Sequence, residues 1–389
     1  MRPSGSESLP GGVYVHAPFC SVRCTYCDFP TVAGRDDRMG AYVDALVREI
    51  ASAPCDGLSA VDSLFFGGGT PSRLPAAEVS RILGAVGARF ALAPGAEVTL
   101  EGNPESLAPD ALEGFLLAGV NRLSVGVQSL DDAVLSRVGR AHDAARARRA
   151  VADARAAGFD DVSIDLIAGL PGEDLARWEA TVEEAASWGP DHVSVYLLES
   201  DKDTPLGRAV RAGRTRVSDD DELASAYEGT VAALARAGFA LYEISNFERG
   251  GRRSCHNLKY WTDVPFAGFG LGAASYLDGE RRSNRRDLDG YIADLAEGRS
   301  PVAERDPYDA ERRLEEALFL GLRVVEGIDA DALSARYGID VRTRFAAAWE
   351  RARAAGSLDD RGSRLALTSA GRLRSNDLFS DLVGEARPL

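Results

Sequence analysis

A short β-type run followed by a stretch with helical apolar spacing recurs about six times in the first two-thirds of the chain, and this rhythm restricts the fold more than any other feature. The runs are Gly12 to His16, Ser63 to Phe66, Glu97 to Leu100, Arg122 to Val125, Val162 to Ile167 and His192 to Leu197. They are rich in Val, Leu, Ile, Phe and Tyr, and each ends near Gly, Pro or a polar residue. Between them lie Met39 to Ala53, Pro75 to Phe90, Pro109 to Leu117, Ala144 to Ala157, Leu175 to Trp188 and Asp219 to Ala237, whose apolar residues repeat as on a helix. Such alternation builds a parallel sheet covered by helices, and a doubly wound open sheet satisfies it nearly as well as a barrel. The barrel is favoured because the unusual residues follow the strands: Gly67-Gly68-Gly69-Thr70-Pro71, Glu101-Gly102-Asn103-Pro104, Gln128 and Gly169-Leu170-Pro171-Gly172. In a (β/α) barrel those loops share one mouth, where active sites are built.

Residues 1–240 are therefore expected to form a partial (β/α)6 TIM-type barrel in an α/β chain. After about Tyr242 the rhythm changes, and 241–305 reads as a connecting segment with a Gly-rich loop from Gly268 to Ser275. Residues 306–389 read as a small, mainly helical, winged-helix-like domain, opening with the amphipathic run Ala310 to Leu322. No stretch of about 18 apolar residues occurs, so no membrane span is expected. Met1 to Pro10 is polar and lacks the apolar core of a secretory signal. The balance of 45 basic against 60 acidic residues gives a net charge of −15, which disfavours nucleic acid as a partner.

The five cysteines are Cys20, Cys24, Cys27, Cys55 and Cys255. An odd number without a secretory signal argues against a disulfide framework. Cys55 reads as an incidental thiol. Cys20-x-x-x-Cys24-x-x-Cys27 directly follows the first strand, and three thiolates at this spacing can wrap one corner of a metal centre. Zinc prefers four ligands, which His16 could complete, and a thioredoxin-type dithiol leaves Cys20 without a task. A 4Fe–4S cubane uses all three and leaves one iron open to a substrate. The glycines after the second strand would let backbone approach a bound ligand.

The cysteine spacing, followed one strand later by the Gly-Gly-Gly-Thr-Pro loop, resembles the radical S-adenosylmethionine (SAM) superfamily. In that superfamily the open iron chelates SAM, and one electron from the cluster cleaves it to a 5′-deoxyadenosyl radical. The resemblance narrows with Tyr14-Val15-His16-Ala17-Pro18-Phe19-Cys20, Glu101-Gly102-Asn103-Pro104, Ser124-Val125-Gly126-Val127-Gln128-Ser129 and Ile164-Asp165-Leu166-Ile167-Ala168-Gly169-Leu170-Pro171-Gly172, in that order. Together they look like the oxygen-independent coproporphyrinogen III oxidase group, over roughly residues 12 to 380. The resemblance implies that Cys20, Cys24 and Cys27 ligate the cluster. It also implies that Tyr14, Tyr26, Gly68, Gly69, Thr70, Glu101, Gln128, Arg140 and Asp165 surround SAM.

Two features depart from the oxidases. Those enzymes carry a further cysteine two residues after the third, where this chain has Phe29, and a longer N-terminal extension than the roughly twelve residues here. Ser254-Cys255-His256-Asn257-Leu258-Lys259-Tyr260-Trp261 contains His-Asn-x-x-Tyr-Trp, which resembles the HemW-type heme chaperones of the same group. That branch implies heme as a ligand, apo-hemoproteins as acceptors and a reduced electron donor as a further partner. His256 is then the candidate iron ligand, Cys255 the alternative, and Tyr260 and Trp261 can stack on a macrocycle. Oxidative decarboxylation of coproporphyrinogen III in porphyrin biosynthesis is the alternative activity. An oxygen-sensitive cluster implies a reducing cytoplasm, with the periphery of the membrane as a place where heme acceptors are met.

Overall fold

Six strands run parallel and in chain order through the centre of one sheet: β1 (Gly11–Ala17), β2 (Val61–Gly68), β3 (Leu92–Gly102), β4 (Arg122–Gln128), β5 (Val162–Ala168) and β6 (His192–Leu197). Helices α1 (Met39–Ser52), α2 (Ala76–Arg89), α3 (Pro109–Ala118), α4 (Ala144–Ala157), α5 (Trp178–Ser187) and α6 (Asp220–Arg236) alternate with them. These coordinates are a computed structural model that describes residues 10–54, 58 and 60–383, so Cys55 lies outside the described residues. The strands bury Val13, Val15, Leu64, Phe66, Leu100, Leu123, Val125, Ile164, Leu166 and Val193, as expected for a parallel sheet covered by helices. Helix ends follow local chemistry. Asp219 and Glu222 form a reciprocal capping box at the start of α6, and Gly119 and Gly158 close α3 and α4 in the left-handed conformation.

Residues 241–305, expected as a connection, add to the same sheet. Beside β6 lie the antiparallel strands β7 (Ala240–Glu243) and β8 (Asn246–Glu248). At the other edge β9 (Phe266–Phe269) pairs parallel to β1, followed by antiparallel β10 (Ala274–Leu277), β11 (Glu280–Asn284) and β12 (Val302–Pro307). The result is a 12-stranded sheet with β12 and β7 as its two edges, so the barrel is partial. The short helix α7 (Cys255–Trp261) lies between β8 and β9, and α8 (Leu288–Ala296) packs on α1.

The C-terminal part combines α9 (Ala310–Gly321), α10 (Ala330–Tyr337), α11 (Ala346–Ala354) and α12 (Ser375–Val383) with a three-stranded sheet. That sheet pairs β13 (Ile328–Asp329) and β14 (Leu358–Arg361) with β15 (Arg364–Leu367). It encloses its own core of Leu314, Leu318, Trp349, Leu365, Leu378 and Phe379. Arg323 ties it to the barrel, donating to Glu243 and lying 4.4 Å over the Trp261 ring. No helix of the described residues is long and apolar enough to cross a membrane.

Candidate functional site

Strand β1 delivers the chain into the cysteine loop at the C-terminal ends of the strands. Phe19 and Cys20 pair with Val32 and Ala33 in a short parallel ladder, and the Val32 N–H donates to the Pro18 carbonyl at 2.8 Å. His16 reaches across the loop, with Nε2 3.0 Å from the Pro30 carbonyl and Nδ1 3.0 Å from the Tyr14 hydroxyl. Burial pushes its pKa down to about 4, so the ring stays neutral and both nitrogens are engaged inside the protein. His16 therefore fastens the loop and is not free to complete a zinc site. The Thr25 N–H donates to the Val138 carbonyl at 3.0 Å, pinning the middle of the loop to the far wall.

Cys20, Cys24 and Cys27 are free and half-buried, and all three line one cavity of about 380 Å³. Among the described residues no three His, Cys, Asp or Glu side chains converge on a point as a single ion requires. Three thiols spread around one cavity suit a polyatomic cluster, with one thiolate per corner, better than one tetrahedral ion.

The facing wall comes from the ends of the next strands. Gly68, Gly69, Thr70, Glu101, Gln128, Arg140, Asp165 and Tyr26 line the same cavity as the cysteines. The glycines serve close packing more directly than expected. A Cβ at Gly69 would come within 2.6 Å of the Pro18 carbonyl oxygen, and one at Gly68 within 2.5 Å of the His16 ring. Gly68 also needs its positive φ of 112°. Glu101 accepts from the Gly68 N–H at 3.2 Å, and burial together with nearby Asp165 pushes its pKa up to about 8. Asp165 accepts from Ser124 Oγ at 3.1 Å, and burial raises its pKa to about 6 against the help of the Ser194 and Ser124 hydroxyls. Gln128 adopts φ 68°, a left-handed conformation costly for a residue with a Cβ, where the β4–β5 register slips.

Tyr14 sits beneath this cavity and does not line it. Its ring stacks on Phe65 at 6.3 Å and lies under Gly67. His256, Tyr260 and Trp261 stand apart from the cysteines. They belong to α7, which lies against the start of β1 and β2 at the opposite end of the strands. His256 is fully buried, with Nδ1 3.1 Å from Ser63 Oγ and Nε2 2.8 Å from the Tyr260 hydroxyl. Asn103 and Ser124 line the cavity without having been singled out from the sequence. Asn103 lay in plain view within Glu101-Gly102-Asn103-Pro104, but spacing alone assigns an amide no partner.

Comparison with known proteins assigns the chain to a family. Residues 14–185 match the model of the radical SAM superfamily, and 308–374 match that of the HemN C-terminal domain. A protein of Mycobacterium tuberculosis named heme chaperone HemW is 39% identical over 98% of this chain and 97% of its own. The chain belongs to the HemW family. A heme chaperone HemW of Bacillus subtilis is 32% identical over 96% of this chain and 99% of its own. The coproporphyrinogen III oxidase HemN of Escherichia coli, a radical SAM enzyme, superposes with a TM-score of 0.83 over 96% of this chain and 90% of its own. At 24% identity that likeness speaks for the α/β fold alone.

Radical SAM membership implies a 4Fe–4S cluster and SAM. The residues present fit both groups. Three free thiols line a cavity whose opposite wall carries hydroxyl, amide, carboxylate and guanidinium groups, the donor and acceptor set that an amino acid joined to a nucleoside requires.

Proposed function

We propose that this chain is a heme chaperone that holds a 4Fe–4S cluster and SAM at the barrel mouth, receives heme at the rim of that mouth and passes it to apo-hemoproteins. The observation that carries the reading is the rim itself. Val22, Phe29 and Tyr196 are 52%, 59% and 43% exposed, and all three line the cavity that the cysteines share. Large apolar side chains held out in water at the rim of a cavity mark a contact surface. Phenyl and phenol faces suit a flat macrocycle, and Arg23 and Lys202 on the same rim suit its carboxylates. Phe29 stands where, by resemblance, the oxidases carry a cysteine.

In this reading Cys20, Cys24 and Cys27 ligate the cluster. Glu101 accepts from ribose hydroxyls, Arg140 faces the SAM carboxylate, and Gly68, Gly69, Thr70, Gln128, Asp165 and Tyr26 complete the SAM wall. Tyr14 supports the wall from below through His16. The cluster, when bound, supplies one open iron and an electron, for which a reduced donor is the partner. His256 has no ring edge free for iron in the folded chain, so heme is placed at the rim.

The test is heme titration of anaerobically reconstituted protein of measured iron and sulfide content. Wild type is expected to bind heme, and Phe29→Asp to bind it at least tenfold more weakly with an unchanged cluster. Equal affinity would overturn the rim. Protoporphyrinogen IX formed from coproporphyrinogen III by cluster- and SAM-loaded protein would overturn the chaperone reading in favour of the oxidase.

A further inference from the structure

The side-chain amide of Asn103 stands between two groups that each point a hydrogen at a cysteine sulfur. Arg140 Nη2 donates to Asn103 Oδ1 at 2.7 Å and to the Gly126 carbonyl at 2.6 Å. Its Nη1 lies 3.8 Å from Cys24 Sγ. On the other side Asn103 Nδ2 donates to Thr70 Oγ1 at 3.0 Å, and the Thr70 hydroxyl donates to Cys20 Sγ at 3.5 Å. Chemistry fixes the order of this chain. A guanidinium only donates, so the amide oxygen must face Arg140 and the amide nitrogen must face Thr70. Thr70 has one hydroxyl hydrogen. With the Asn103 N–H on its oxygen, that hydrogen is left for sulfur, and Thr70 is buried away from competing water. Gly126 leaves the room required, because a Cβ there would stand 3.2 Å from both Arg140 Nη2 and Asn103 Oδ1.

We infer that Asn103 is a positioning residue for the cluster: through Thr70 and Arg140 it sets hydrogen-bond donation to Cys20 and Cys24, and with it the reduction potential. The inference rests on the reading of Cys20, Cys24 and Cys27 as cluster ligands. Hydrogen bonds to ligand sulfurs and nearby positive charge favour the reduced, more negative cluster and raise its potential. The two donors that Asn103 holds fall on two of the three sulfurs; Tyr26 also bonds Cys24, and Cys27 takes the Phe29 backbone N–H instead. Arg23 reaches only the backbone carbonyl of Cys27, at 3.5 Å. The brace therefore treats the three iron corners unequally.

The test is an EPR-monitored redox titration of the reconstituted cluster without SAM, after iron and sulfide analysis. Failure of wild type to hold four iron and four sulfide per chain would strike the ligand reading, not the brace. Given a loaded wild type, Asn103→Leu is expected to keep its cluster and shift the midpoint to more negative potential. Thr70→Val should shift it in the same direction by less, and Thr70→Ser should restore it. Adding Thr70→Val to Asn103→Leu should produce less than the sum of the two shifts, because the amide already governs the hydroxyl. A loaded Asn103→Leu protein with the wild-type midpoint overturns the inference. Should that variant fail to load, Thr70→Val at the wild-type midpoint overturns it equally.

Discussion

His256 Nε2 and the Tyr260 hydroxyl, one helical turn apart on α7, lie 2.8 Å from each other and close the end of the barrel opposite the cysteines. The imidazole stacks on Phe65 with ring centroids 5.2 Å apart. The first N–H groups of α7, from Cys255 and His256, donate to the Glu97 carboxylate at 2.9 and 3.0 Å, as a negative charge at a helix N-terminus should be received. The His-Asn-x-x-Tyr-Trp segment is thus a half-buried plug centred on the fully buried His256.

Removing the His256 ring should cost stability and leave the mouth intact. His256→Ala deletes a buried ring and two hydrogen bonds, about 3 kcal/mol in denaturant unfolding. Burial holds the folded pKa at about 3, well below the ordinary 6.5. Below pH 6.5 the unfolded chain takes a proton that the folded chain refuses, so this contribution is full above pH 6.5 and is lost as pH falls. The stability advantage of wild type over the variant should shrink by about 1.4 kcal/mol per pH unit below 6.5. Heme affinity per folded molecule should not change. A tenfold loss of heme binding with unchanged stability would return the iron to His256.

Gly69 is the point where the glycine loop and the cysteine loop touch. A methyl group there meets Pro18 backbone, at 2.6 Å from its oxygen and 2.7 Å from its carbon, and backbone cannot swing aside like a side chain. Gly69→Ala should cost about 1–3 kcal/mol by overpacking and displace Cys20. The expected readout is a lower iron content after reconstitution, with far-ultraviolet dichroism unchanged. Full iron loading at wild-type stability would refute the contact.

The six central strands were legible because each is a short apolar run buried on both faces and bounded by turn residues. β10 and β11 were not, because Ala274-Ser275-Tyr276-Leu277 buries only its last two residues and Glu280-Arg281-Arg282-Ser283-Asn284 has no apolar face to repeat. Arg281 instead covers its cross-strand partner Tyr276 at 4.7 Å and pairs at 2.8 Å with Glu316, which is remote in sequence. Periodicity sees burial and misses strands held by ladders and long polar side chains. The shared mouth was legible for the same reason as the strands, since Gly68, Glu101 and Gln128 sit at strand ends, while Tyr26 and Arg140 lie in loops that only the resemblance singled out. The seal around His256 was not, because it depends on Ser63 and Glu97 arriving from β2 and β3. Resemblance named Arg140, but its link to Asn103 forms only in the fold, where two loops 37 residues apart meet.

Gln128 keeps φ at 68° although Gly would hold that conformation without cost. Backbone strain of about 1–2 kcal/mol at a residue facing a cavity indicates a side chain retained for contact. Gln128→Gly relieves the strain and loosens the unfolded chain by a similar amount, so thermal stability should barely move. Gln128→Ala keeps the strain and loses the amide. Both should weaken SAM binding to loaded protein, measured by calorimetry, by about 1 kcal/mol for one lost hydrogen bond. Unchanged affinity in both would leave the amide without a role.

Glu101 gives the site a pH dependence whose sign can be worked out. Burial first and Asp165 second lift its pKa from 4.5 to about 8, with the Gly68 N–H opposing them. The folded chain therefore holds a proton that the unfolded chain has lost, and this group's contribution to stability falls as pH rises from 4.5 through 8. Binding runs the other way. Ribose hydroxyls donate best to a carboxylate, so SAM affinity of loaded protein should rise with pH through about 8. Asp165→Asn removes the repulsion and should move that rise to lower pH, because only burial then opposes ionisation. Affinity flat from pH 6.5 to 9 would mean that Glu101 binds SAM in one protonation state throughout or does not touch it. An unmoved rise in Asp165→Asn would mean that burial alone sets the pKa and that the two carboxylates do not interact across the cavity.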